Sequence, residues 1–167
     1  MTKAVWGVLA VGFIISVPFS STAYAQATAS VNVTATATVA AKARLEVNGV
    51  IAFADADPQT TPLISSAALD VVVKARTSPT ETVTLTVLAG DDFIGPNSQI
   101  IPIANLAWSA GGGGFVAGTA SKAAAQSVGS WTGSGERSGT QTYNLTNSWN
   151  YGIGVYTVTL TYTLTAP

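Results

Sequence analysis

Residues 155–164 read VYTVTLTYTL, and this stretch decides the fold class. Apolar side chains alternate with threonine along it, and a period of two places the two kinds on opposite faces of a β-strand. Threonine favours strands and adds no charge to the outer face. We therefore predict a strand with one buried face. The residues of that face are Tyr156, Val158, Leu160, Tyr162 and Leu164.

The same alternation recurs through the chain, whereas helical patterns are nearly absent after residue 25. Predicted strands cover residues 26–41, 44–47, 51–53, 69–75, 82–89, 100–103, 106–108, 128–131, 141–145 and 155–164, some of them weak or interrupted. Asn48-Gly49 predicts a two-residue hairpin turn. The pattern indicates an all-β protein, an antiparallel two-sheet immunoglobulin-like sandwich of about eight strands. We expect its core to include Val83, Leu85, Val87, Val158, Leu160 and Tyr162.

The beginning of the chain predicts a signal peptide over residues 1–25. Lys3 precedes an apolar run at residues 4–19, and Ala23-Tyr24-Ala25 has the small-x-small form of a cleavage site. Such a leader is typical of export from a bacterial cytoplasm, to the periplasm, the outer surface or the medium. An uncleaved anchor is the alternative. Residues 26–167 are then expected to form a single domain.

The composition excludes several classes of function. The sequence has no cysteine and no histidine, so thiolate or imidazole zinc sites and Ser–His or Cys–His catalytic pairs are ruled out. Charged residues make up 9% of the chain, and the formal net charge is −1, which does not suit a nucleic-acid partner. We expect a protein that is not an enzyme and has no cofactor.

Acidic residues offer few sites. Asp55 and Asp57 alternate in a Pro-containing loop and are candidate calcium ligands, with a solvated Asp-Pro turn as the alternative. Asp91-Asp92 is interpreted as part of a turn. Glu136 and Arg137 are expected in a polar loop, as an exposed ion pair of little energetic value.

Four aromatic residues are candidates for carbohydrate binding, because exposed rings among Asn and Gly can stack on sugars. The alternative is that they belong to the core or anchor loops. They are Trp108, Trp131, Trp149 and Tyr151. The glycine run at 111–114 lacks the context of a phosphate loop and predicts a flexible connection.

Three segments together resemble the spore coat U type domains and the wider group of chaperone–usher pilins. They are AQATASVNVTATATVAAKARLEVNGVIAF at 25–53, LDVVVKARTSPTETVTLTV at 69–87 and YGIGVYTVTLTYTL at 151–164. Domains of that family usually carry a disulfide, for which this chain has no cysteine. The end of the chain is also somewhat similar to cell-wall-binding WxL domains, without their twin Trp-x-Leu signature.

The pilin resemblance implies a pilus or coat subunit that joins its neighbours by strand exchange, with self-association or other surface subunits as partners and a periplasmic chaperone before assembly. Main-chain hydrogen bonds and alternate side chains would then hold the donated strand. The uncharged residues 26–39 have the required composition, and the alternative is an ordinary first strand of their own domain. Their inserting side chains would be Val31, Val33, Ala35, Ala37 and Val39.

Overall fold

A computed structural model describes residues 28–167, and these residues are dominated by antiparallel β-strands. The predicted signal peptide at 1–25 lies outside the described residues, as do Gln26 and Ala27. Two short 3₁₀ turns, Pro96–Ser98 and Ile103–Asn105, are the helical elements of the described part. The predicted all-β, antiparallel class is therefore confirmed.

Ten strands occur between residues 28 and 167, rather than the eight expected, and three of them have only two residues. The strands are β1 (Lys42–Asn48), β2 (Leu63–Arg76), β3 (Thr82–Ala89), β4 (Phe93–Ile94), β5 (Ile100–Ile101), β6 (Leu106–Gly111), β7 (Gly118–Thr119), β8 (Gln126–Thr132), β9 (Gly135–Thr146) and β10 (Leu160–Thr165). The bounds of β3 match the predicted strand.

The strands form two larger sheets and one small hairpin. The first sheet has the order β1-β2-β9-β6-β7, the second has the order β10-β3-β8, and β4 pairs with β5 alone. All of these pairs are antiparallel. β1 and β10 are each at the edge of their sheet, and the two strands also contact one another.

The inward faces of the two larger sheets share one hydrophobic core. Alternate residues of β2 and β3 are almost completely buried, as period two requires. Each large side chain that leaves water in this way contributes about 1.5–3 kcal/mol. The most deeply buried members are Val71, Val73, Val83, Leu85, Val87, Leu106, Trp108, Val128 and Tyr143.

The last strand is shorter than predicted and less buried. Residues 155–159 stay outside β10, although Thr157 forms an isolated bridge with Ile94. Val83, Leu85 and Val87 of the predicted core are buried, but Val158, Leu160 and Tyr162 are only half-buried. Leu160 and Tyr162 are less buried because β10 is hydrogen-bonded to a strand on one side only, and Val158 lies outside β10.

Two local predictions were wrong. The two-residue hairpin turn predicted at Asn48-Gly49 does not form: Asn48 ends β1, the chain bends at Gly49, residues 50–58 form no strand, and β1 pairs with β2. Glu136 and Arg137 lie in β9 rather than in a loop, and a strand directs adjacent side chains to opposite faces. Glu136 therefore pairs with Lys74 across the strands at 3.2 Å, while Arg137 donates to the Glu136 carbonyl at 2.9 Å.

Candidate functional site

Residues 28–41, here called the N-terminal segment, contain no strand, and all of them are exposed. The alternating pattern predicted a strand from residue 26, but the first strand of the described part is β1. The exposed fractions of the three valines are 86% for Val31, 85% for Val33 and 67% for Val39. Ala35 and Ala37 are exposed as well. The segment therefore presents both its apolar and its threonine faces to water.

The outer edge of β10 is the second unusual feature, here called the open edge. β10 pairs with β3 in an unbroken register from Leu160↔Ala89 to Thr165↔Thr84, and with no other strand among residues 28–167. An edge strand leaves backbone N–H and C=O groups unpaired along one side. Proteins commonly protect such edges with charge or proline, and Leu160–Thr165 contains neither.

The side chains that β10 directs inward are incompletely covered. Leu160, Tyr162 and Leu164 pack against the core but are only half-buried. The threonines between them are exposed. The opposite sheet shows the same condition in its own edge strand, where Leu45 and Val47 of β1 are half-buried. The inward residues of β1 and β10 are therefore less covered than those of β2 and β3.

A buried hydrogen-bond network holds β10 in position. The Tyr162 hydroxyl donates to Gln141 Oε1 at 2.6 Å and lies 2.6 Å from the Tyr143 hydroxyl, which donates to it in turn. Gln141 and Tyr143 belong to β9, so this network crosses the core between the two sheets. Burial raises the pKa of Tyr143 well above its usual range, and the nearby Tyr162 hydroxyl adds to the rise. Burial also raises the pKa of Tyr162.

The network leaves one donor unused. Gln141 is completely buried, and its Nε2 has no hydrogen-bond partner among the described residues. A buried polar group without a partner costs free energy, which makes this position sensitive to the packing of β10. This network could not be predicted from the sequence, because Gln141 occupies an inward position that period two assigns to an apolar residue.

The four aromatic candidates for carbohydrate binding do not form one exposed surface. Trp108 is only 2% exposed and donates to the Val116 carbonyl at 2.9 Å, so burial removes it from this role. Trp131 is half-buried, with its ring edge-on to Phe115 at 4.9 Å between centroids. Tyr151 is half-buried, and Trp149 is 72% exposed. Only Trp149 presents most of its ring to solvent.

Of the acidic candidates, Asp57 takes part in a turn, Asp91 and Asp92 form ion pairs, and Asp55 is exposed in an irregular segment. Asp57 Oδ1 accepts the Gln59 N–H at 2.8 Å, as in the expected Asp-Pro turn. Within residues 28–167 no three His, Cys, Asp or Glu side chains cluster as metal ligands. Asp91 and Asp92 both contact Lys122, at 2.9 and 2.7 Å.

Sequence reasoning also missed the loop between β9 and β10. The alternating pattern placed Val155 in the final strand, but it is 80% exposed in this loop. Gly152 and Gly154 lie just before the predicted strand, and two glycines so close together were the available signal that the loop continues there.

A scan against protein-family models, a search of curated proteins and a search of solved structures found no match to this chain. No helix within residues 28–167 has the length and apolar character needed to cross a membrane.

Proposed function

We propose that this protein is an exported structural subunit of the cell surface that assembles by β-strand pairing. The N-terminal segment of one copy adds to the open edge of β10 in the next copy. The fold is then an immunoglobulin-like sandwich whose smaller sheet is completed by a neighbour. The observation that carries the proposal is the coexistence of an exposed, alternating segment and an unprotected edge strand in one chain.

Strand addition would satisfy both features at once. Backbone groups of the segment would pair with those of β10, which gives affinity that does not depend on side-chain identity. Alternate side chains would cover Leu160, Tyr162 and Leu164, whose inward faces are now half-exposed. Residues 31–39 extend roughly 30 Å as a strand, enough to span the six residues of β10.

The absence of charge in the segment supports the same role. Residues 28–41 carry no Lys, Arg, Asp or Glu, so their insertion beside a core would bury no unpaired ion. The small side chains of Ala35 and Ala37 would allow close approach to the partner. A chaperone with an extended strand of its own would protect the open edge of β10 before assembly. A catalytic role is not proposed.

The alternative, a carbohydrate-binding module, has less support. That function requires several exposed rings side by side, and of the four candidates only Trp149 is mostly exposed.

Deletion of residues 26–39 tests the proposal. We expect the shortened chain to lose self-association in sedimentation, and a synthetic peptide of residues 26–39 to bind it and raise its melting temperature. The peptide would supply the missing strand and would stabilise the folded state by mass action. A chain beginning at Gln26 that stays monomeric at high concentration, with residues 28–39 protected from protease, would contradict the proposal.

A pair of single substitutions tests the direction of the side chains. Val33→Asp places a charge on the face proposed to enter the partner, whereas Thr34→Asp places the same charge on the opposite face. We expect Val33→Asp to abolish peptide binding and Thr34→Asp to weaken it only slightly. Equal effects of the two substitutions would show that the segment does not bind as an alternating strand.

A further inference from the structure

The loop between β9 and β10, residues 147–159, projects large apolar side chains into solvent. Ile153 is 99% exposed, Val155 is 80% exposed and Trp149 is 72% exposed. Isolated exposed apolar residues are common on protein surfaces, but several on one loop indicate an interaction site. These three residues, together with Ile94 and Ile100 described below, are called the apolar tip.

The loop is fixed to the body of the protein by its two tyrosines. Tyr151 and Tyr156 are half-buried and pack against the core, unlike the three exposed residues of the loop. The Tyr156 hydroxyl lies 2.8 Å from the Gly152 carbonyl and 3.1 Å from Gln99 Oε1. Asn105 Nδ2 donates to the Tyr151 hydroxyl at 2.8 Å. The apolar residues are therefore exposed on a loop that is held in place by hydrogen bonds.

The β4–β5 hairpin carries two further exposed apolar residues and is joined to this loop. Ile94 and Ile100 pair across this hairpin and are 42% and 54% exposed. Ile94 exchanges two backbone hydrogen bonds with Thr157, at 3.0 and 3.1 Å, so the hairpin and the loop are joined. Gly154 also lies against Pro96 of the hairpin.

Charge is absent from both parts of the tip. The sequence has no charged residue from 93 to 121 or from 138 to 167. The nearest charges along the chain are Asp91 and Asp92, and both pair with Lys122, so this cluster carries a net charge of −1 and has no excess of cations for an anionic surface. No side chain of the tip is charged, so a ligand bound there is held mainly by apolar contact.

We propose that the apolar tip inserts into the interfacial region of a zwitterionic lipid bilayer. Trp, Ile and Val match this region, where an aromatic ring sits among headgroups and aliphatic side chains reach the acyl boundary. Ile153 is 99% exposed, so its whole side chain is accessible to lipid. The tip has five residues, far fewer than the roughly 20–30 residues that each partner contributes to a stable protein interface. This inference does not depend on strand exchange.

Vesicle flotation tests the inference directly. The protein used is the chain from Gln26 onward, which contains every described strand and lacks the apolar run at 4–19. We expect it to float with phosphatidylcholine vesicles, and Ile153→Asp to lower the partition coefficient at least tenfold. Val50→Asp is the matched control, because Val50 is 74% exposed and lies outside the tip. Unchanged circular dichroism and melting temperature would show that both variants are folded.

Salt and lipid composition supply a second readout. If binding is through apolar side chains, the partition coefficient should change by less than about twofold between 50 and 500 mM salt. Added anionic lipid should not increase it. Failure of the wild type to float, or equal loss in Ile153→Asp and Val50→Asp, would overturn the inference. Retention on a polysaccharide matrix without flotation, abolished by Trp149→Ala, would also overturn it in favour of a glycan.

Discussion

The hydroxyl oxygens of Tyr162 and Tyr143 lie 2.6 Å apart, and this contact joins the edge strand β10 to the centre of the opposite sheet. Tyr143 is completely buried, whereas Tyr162 is half-buried because one side of β10 has no hydrogen-bonded strand among the described residues. The network therefore holds β10 against the core from one side while leaving its other edge open.

Tyr162→Phe is expected to destabilise the protein by about 1–3 kcal/mol, because it leaves Gln141 Oε1 and the Tyr143 hydroxyl without their shared partner inside the core. Urea unfolding measures this change. Thr163→Val is the control, since Thr163 lies on the exposed face of the same strand and its replacement should change stability by less than about 0.5 kcal/mol. Equal stability of Tyr162→Phe and the wild type would show that the network contributes nothing.

Leu85→Ala and Leu160→Ala compare a covered strand with an uncovered one. Leu85 is completely buried, and its truncation should cost about 2–5 kcal/mol. Leu160 is half-buried, so the same substitution should cost roughly half as much in the isolated chain. Bound peptide 26–39 should raise the cost at Leu160 and leave the cost at Leu85 unchanged. A full-sized loss at Leu160 without peptide would mean that β10 is already covered.

Gly114→Ala should destabilise the protein by about 1–3 kcal/mol. Gly114 has a φ of +84°, and a Cβ there would collide with the Trp131 indole. Gly113 provides a matched control, because nothing lies within 4 Å of the position of its Cβ. Its replacement by alanine should change the melting temperature little, even though its carbonyl accepts the Trp131 N–H at 2.8 Å. Similar losses at both positions would contradict this explanation.

Lys122 links stability to pH through Asp91 and Asp92. Its hydrogen bonds hold the pKa of both carboxyls below the ordinary value of 3.8, and the pKa of Lys122 is raised above 10.5. The carboxylate contribution is therefore present above about pH 4 and is lost as pH falls through the lowered values. The lysine contribution is lost as pH rises through its raised value.

NMR titration of the side-chain carboxyls measures this linkage. Lys122→Met should return the pKa of Asp91 and Asp92 towards the ordinary range. Lys74→Met should leave both unchanged, since Lys74 pairs with Glu136 instead. Identical Asp titrations in the wild type and Lys122→Met would argue against the ion pairs.

Alternation in the sequence predicted the buried strands well and the exposed ones poorly. β3 was predicted with its exact bounds because both of its neighbours are present and its inward residues are large. The same alternation over residues 28–41 produced no strand, since a pattern specifies faces but does not supply a hydrogen-bonding partner. In β9 the polar sequence GERSGT suggested a loop. Pairing with β2 places this sequence in a strand, where Glu136 lies opposite Lys74.

The exposure of aromatic residues was less predictable. Trp108 and Trp149 both lie among small and polar residues, yet one is buried and the other is exposed. Burial of Trp108 depends on Gly118, whose missing side chain makes room for the indole on the neighbouring strand. Such a pairing follows from strand order, which no local pattern in this sequence specifies.

The unbroken antiparallel ladder between β10 and β3 has a mechanical consequence. A pull along the axis of β10 loads all of its interstrand hydrogen bonds together, whereas a pull across the ladder would open them one after another. A filament linked through β10 would carry its tension along that axis. Its subunits would therefore resist stretching far more strongly than peeling, and shear forces in flowing liquid would act on them in their strongest direction.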